Sequence, residues 1–153
     1  MKVYLGLAVM VATLIACAPE ATQKAPTALP LAGTWKLIRA TTIEKGDTVV
    51  TDKTKGDPFI KIINDTHFAF LQHDLTKAKG QAGVVAGGGS YTLADSLYAE
   101  HLEYCSARNW EGNDFAFTIT IKNDTLVQRG IEKVESAGVN RINIEKYVRV
   151  KKG

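Results

Sequence analysis

Phe115-Ala116-Phe117-Thr118-Ile119-Thr120-Ile121 alternates bulky apolar residues with small or hydroxylated ones at a strict period of two. Successive side chains of a strand point to opposite faces, so this stretch predicts a half-buried strand with its phenylalanines and isoleucines on one side. Asn123-Asp124 follows, a turn pair, and the chain resumes as a strand from Leu126 to Val134. The two form an antiparallel hairpin.

The same pattern extends in both directions. Thr34 to Thr42 is an apolar-rich run entered through Pro30-Leu31-Ala32-Gly33. Pro58 to Asn64 carries Phe59, Ile60, Ile62 and Ile63, turns at Asn64-Asp65 and returns from His67 to His73 as a second hairpin. Ile142 to Val150 closes the chain with β-branched residues at alternate positions. Turn signals recur every 8–12 residues or so, the spacing of an antiparallel sandwich or barrel. The fold class is therefore all-β.

Two regions leave more open. Residues 74–90 read as a Lys/Gly/Ala-rich loop ending in Gly87-Gly88-Gly89. The triplet lacks the Lys-Ser/Thr ending and following helix of a phosphate-cradling loop. Leading into Ser90-Tyr91-Thr92, it predicts a sharp bend or bulge in a curved strand. Residues 96–107 admit a helix, because Leu97, His101 and Cys105 fall at i, i+4 and i+8 after an Asp95/Ser96 cap. A strand from Leu97 to Tyr104, entered through Ala94-Asp95-Ser96, is preferred.

The N-terminus has a different character. Lys2 precedes an apolar run from Val3 to Ala16, broken only by Gly6 and Thr13. This is shorter than the roughly 20 residues of a comfortable membrane span and matches the apolar region of a signal peptide, about 7–15 residues. Residues 1–16 are thus expected to be a signal peptide. Leu14-Ile15-Ala16-Cys17 resembles the lipobox of bacterial lipoproteins, in which a small residue precedes a cysteine. A thiolate is nucleophilic enough to take a diacylglyceryl group as a thioether. Two or more acyl chains anchor a protein stably, at about 0.8 kcal/mol per buried methylene. Acylated Cys17 would make the lipid membrane this protein's first partner. Residues 17–30, with Pro19, Pro26 and Pro30 among small and polar residues, predict an extended, disordered tether. Ala18 stands where an aspartate would signal inner-membrane retention, and no acidic run resembling a surface-export signal follows. The expected location is the outer membrane, on its periplasmic face.

Residues 31–153 are expected to form one domain. About 120 residues bury a single sizeable core and not two. Lys2 leaves with the leader, and it is one of 19 basic residues set against 16 acidic ones. The exported part is therefore close to neutral, with its basic residues scattered, which argues against nucleic acid as a partner. Of the two cysteines, acylation of Cys17 leaves Cys105 without an intramolecular partner.

Gly33-Thr34-Trp35, early in the first strand, resembles the Gly-x-Trp signature of lipocalins and related calycin barrels. Thr66-His67-Phe68, Gly88-Gly89-Ser90-Tyr91-Thr92-Leu93, Glu100-His101-Leu102-Glu103-Tyr104 and Tyr147-Val148-Arg149-Val150 extend the resemblance to bacterial lipocalin-like domains over most of residues 31–150. It implies an antiparallel up-and-down β-barrel, with Gly33 and Trp35 as its signature and the indole plugging one end near the last strand. Closure also removes the sheet edges that invite aggregation. A barrel of this size encloses side chains or one small ligand.

His67, Tyr91, His101, Glu103, Tyr147 and Arg149 are polar or amphipathic positions within apolar strands, and they are the expected ligand-binding set. Alternation places His101 with Glu103, and Tyr147 with Arg149, on common faces. Fatty-acid-binding relatives carry an Arg-x-Tyr pair on the last strand, whereas Glu145 occupies the position two before Tyr147 here, which argues against a carboxylate ligand. A small, largely apolar molecule is the expected ligand, with no cofactor and no metal. His67 and His73 lie six apart, about 20 Å at strand rise, too far to share an ion. No serine sits in an elbow sequence, and only a His101–Glu103 pair hints at acid–base chemistry. A binding protein is therefore expected rather than an enzyme. The alternatives are a non-catalytic interaction or inhibitor protein with a filled barrel and, third, a His/Glu enzyme.

Overall fold

The computed structural model describes residues 29–75 and 83–151. The expected signal peptide of residues 1–16, Cys17 and most of the expected tether lie outside the described residues. Nine strands follow in order: β1 (Gly33–Glu44), β2 (Asp47–Asp52), β3 (Phe59–Ile63), β4 (His67–His73), β5 (Val84–Ala94), β6 (Leu97–Cys105), β7 (Asp114–Lys122), β8 (Thr125–Val134) and β9 (Val139–Arg149). Short 3-10 segments at Arg108–Trp110 and Glu135–Ala137 sit between β6 and β7 and between β8 and β9.

From β3 to β9 each strand pairs antiparallel with the next, and β9 pairs back on β1 from Trp35↔Arg149 to Ile43↔Ile142. This closes an antiparallel barrel of 8 strands. The all-β, up-and-down expectation is met, and the architecture is compatible with a calycin-like fold. β2 stands outside the closed wall. It pairs with β1 over Arg39–Glu44 while β3 pairs with β1 over Gly33–Lys36, so one strand serves two neighbours on the same edge. All six residues of β2 are exposed. The strand was not expected from the sequence, because nothing in it is buried and no alternation marks it.

Local chemistry accounts for the turns. Asn123 and Asp124 both have positive φ, at 49° and 57°, the requirement of a two-residue hairpin turn that follows the strand twist. Residues 97–105 are a strand, which decides the helix-or-strand question there. The glycine triplet belongs to β5, which is longer than expected, and the β5–β6 register shifts between Gly88 and Gly89. A Cβ on Gly89 would collide with the carbonyl oxygen of His101 on β6, so only glycine allows the bulge at this spacing.

The core fills one end of the barrel. Trp35 is fully buried, and its Nε1–H donates to the Leu31 carbonyl at 2.8 Å. Leu31, Ile119 and Leu126 join it in the same buried cluster. Gly33, at φ 145°, lies beneath the Arg149 guanidinium, which any Cβ there would strike. The Arg149 guanidinium carbon lies 4.0 Å from the centre of the Trp35 ring. Its Nη1 donates to the Ala32 carbonyl, its Nη2 to that of Pro30 and its Nε to Asp124. The N-terminal entry, the last strand and the β7–β8 turn are stapled together by one cation.

Candidate functional site

At the opposite end the barrel is open, and a cavity of about 460 Å³ runs into it. That falls within the range of small-molecule sites, about 300–1,000 Å³. Strand alternation divides the lining into two chemical halves. Phe59, Phe70, Leu102, Phe115 and Phe117 come from β3, β4, β6 and β7, and Trp110 from the 3-10 segment beside them. Phe59 and Phe70 stack at 5.8 Å between ring centres, and Trp110 lies 5.9 Å from Phe115. Gln128 and Glu132 come from β8, and Arg141, Asn143, Glu145 and Tyr147 from β9. These are the inward positions of two paired strands, with Gln128 opposite Glu145 and Glu132 opposite Arg141.

Between the halves lies a buried charged group. Lys61 shares the inward face of β3 with Phe59 and Ile63, and Glu100 shares that of β6 with Tyr98 and Leu102. Lys61 Nζ is 2.5 Å from Glu100 Oε1 and donates to Gln128 Oε1 at 3.1 Å. The ammonium also sits over the rings of Phe68, Tyr98 and Tyr147, 5.3, 5.5 and 5.8 Å from their centres. All three polar partners are buried. Removing two ions from water is expensive, and only close pairing with further hydrogen bonds offsets it. The arrangement here meets that condition.

Nearer the mouth, Glu132 receives hydrogen bonds from Arg141 Nε at 2.8 Å and Asn143 Nδ2 at 2.7 Å. Burial nevertheless pushes the Glu132 carboxyl above its ordinary value, with Arg141 acting against the shift. Tyr147 donates its hydroxyl to Glu145 Oε2 at 2.6 Å. Burial first, and the Glu145 charge second, raise its phenol well above the usual range. The same two causes, with Glu100 as the charge, raise Tyr98, whose hydroxyl has no hydrogen-bond partner among the described residues.

Of the expected ligand-binding residues, Tyr147 alone lines the cavity. His101 and Glu103 do share a face, but it is the outer one. His101 Nδ1 lies 2.7 Å from Asp114 Oδ1, both exposed. Glu103 accepts hydrogen bonds from Ser90 N–H and Oγ, which hold its carboxyl below the usual range. His67 is exposed at the β3–β4 turn, with Nδ1 2.7 Å from the Thr66 hydroxyl. Tyr91 packs on Tyr98 at 5.1 Å and donates to the Asn64 carbonyl, at the closed end and away from the cavity lining. Arg149 lies over Trp35 as a staple. The six expected residues are therefore not brought together in this cavity: alternation identified shared faces but not which face was inside.

Sequence reasoning missed Lys61, Glu100, Gln128, Glu132, Arg141, Asn143 and Glu145. The available signal was parity, since Lys61 is two residues from both Phe59 and Ile63 in an otherwise apolar strand. Cys105 is half-buried and lines the cavity as a free thiol. No curated protein matches the chain. The profile of DUF4488, described as a domain of unknown function, matches residues 30–153, the whole of the barrel, and the chain belongs to that family.

Proposed function

We propose that this chain is a lipid-anchored, lipocalin-like binding protein that holds one small molecule in the open end of its barrel. The observation that carries this reading is the cavity of about 460 Å³, with an aromatic half facing a hydrogen-bonding half. A few convergent polar groups within a mostly closed apolar surround are what orients a ligand. The reading is of binding rather than catalysis, because none of the three histidines lines the cavity. The filled-barrel alternative loses its main motive where open volume remains. The anchor rests on the Leu14-Ile15-Ala16-Cys17 sequence, and the outer membrane, periplasmic face, on Ala18 and the lack of an acidic run after it.

The experiment is native mass spectrometry of the full chain purified from its own host, followed by extraction. A co-purifying small molecule is expected, and Ala40→Trp, which places an indole into the cavity, should release it while the protein stays folded. Absence of any bound species, or its persistence in the Ala40→Trp protein, would overturn the binding reading. Fatty-acid labelling tests the anchor separately. Label should be incorporated into the parent and lost in Cys17→Ser.

A further inference from the structure

The interior charges of the cavity are not all matched by one another. Lys61 is committed to Glu100 and Gln128, and Arg141 to Glu132. Each oxygen of Glu132 in turn accepts a hydrogen bond, one from Arg141 and one from Asn143. Glu145 stands apart. Among the described residues no lysine or arginine pairs with it, and its one hydrogen bond comes from the neutral Tyr147 hydroxyl. Among the described residues its second oxygen accepts no hydrogen bond, and the residue is half-buried and lines the cavity.

Position adds to charge. The ring of Tyr147 lies 6.5 Å from that of Phe59, and Phe59 stacks on Phe70. The free carboxylate oxygen is therefore one tyrosine away from the aromatic half of the cavity. A carboxylate in a partly water-excluded site prefers a charged donor, because charge-assisted hydrogen bonds are roughly twice as strong as neutral ones. The remaining cation of the lining is Lys53, on the segment after β2 and half-buried like Glu145. It too is in no ion pair among the described residues.

Resting on the binding reading above, we infer that the ligand is an amine: a flat apolar group laid against Phe59 and Phe70, carrying a protonated nitrogen that donates to Glu145. The anionic counterpart of such a molecule would have only Lys53 to meet it.

The test compares three probes that share one ring system and differ in the tail: 2-(2-naphthyl)ethylamine, 2-(2-naphthyl)ethanol and 2-naphthylacetate. Each is titrated into the full chain by calorimetry. The amine should bind about 10- to 100-fold tighter than the alcohol, the span of a hydrogen bond to a charged group, and the acid weakest. Glu145→Gln should bring the amine to within a few-fold of the alcohol. The ranking of the three probes on the parent protein needs no variant, so the test survives a variant that does not fold. Equal or tighter binding of the alcohol or the acid would overturn the amine inference and leave the binding reading standing, with the acid's success pointing to Lys53. Failure of all three to bind would overturn both.

Discussion

The two strands that flank Trp35 solve the same problem, a cation beside an aromatic ring, in opposite ways. At the closed end Arg149, opposite Trp35 in the β1–β9 pair, caps the buried indole and spends its donors on backbone carbonyls and Asp124. Lys61, opposite Trp35 in the β1–β3 pair, is inside the wall at the cavity lining, surrounded by rings and paired with Glu100. The first arrangement fastens chain segments together and leaves the charge partly in contact with water. The second removes two charges from water and leaves volume above them. A planar guanidinium suits the first task because its fork reaches several acceptors at once. A compact ammonium suits the second.

The contrast predicts how each arrangement fails. Trp35→Ala should have the largest effect, about 3–5 kcal/mol of stability, read by chemical denaturation, because the closed end has no other plug. An effect below about 1 kcal/mol would mean that the indole is not the keystone. Lys61→Met should cost about 3 kcal/mol by leaving Glu100 buried without its partner. Lys61→Met with Glu100→Leu should recover most of that loss, because the desolvation cost leaves with the pair. If the double variant is no better than the single, the pair acts through packing alone.

Glu132 should contribute a pH effect of definite sign. Its folded value is raised above the ordinary 4.5, so the folded protein holds this proton more firmly than the unfolded chain. That contribution to stability falls as pH rises from about 4.5 through the raised value. Glu132→Gln should flatten the stability profile in this window, and an unchanged slope would place the effect elsewhere. The smallest change is expected from His101→Ala, within about 0.5 kcal/mol and without influence on ligand binding. A larger loss of binding would bring the outer wall back into the site.

Much of this wall was readable from alternation and turn pairs. Phe115–Ile121 alternates because one of its faces meets the core, and Asn123-Asp124 turns because both residues tolerate positive φ. Residues 47–52 gave no signal, since a strand with no buried face has no pattern to show. Parity was the harder question. β6 carries Tyr98, Glu100 and Leu102 on one face and His101 and Glu103 on the other, and both faces mix polar with apolar residues. Only the register with Phe115 and Phe117 decides between them, by placing Glu100 opposite Phe115 and Tyr98 opposite Phe117. Lys61 was illegible for a related reason. A lysine in an apolar strand looks like a solvent-facing residue until its partners, 39 and 67 positions away, are brought beside it.

The seam between β1 and β9 has a kinetic consequence. Ala32 and Arg149 are 117 positions apart, yet their contact completes both the wall and the staple over Trp35. Contacts of such long range must wait for costly loop closure, which slows folding. Until the final strand arrives, every intermediate with β1 in place has two bare sheet edges and an uncapped indole, surfaces that bind other chains as readily as their own. A chain cut before Val139 would thus lose closure rather than a ninth of its structure, and its failure would be aggregation rather than a smaller barrel.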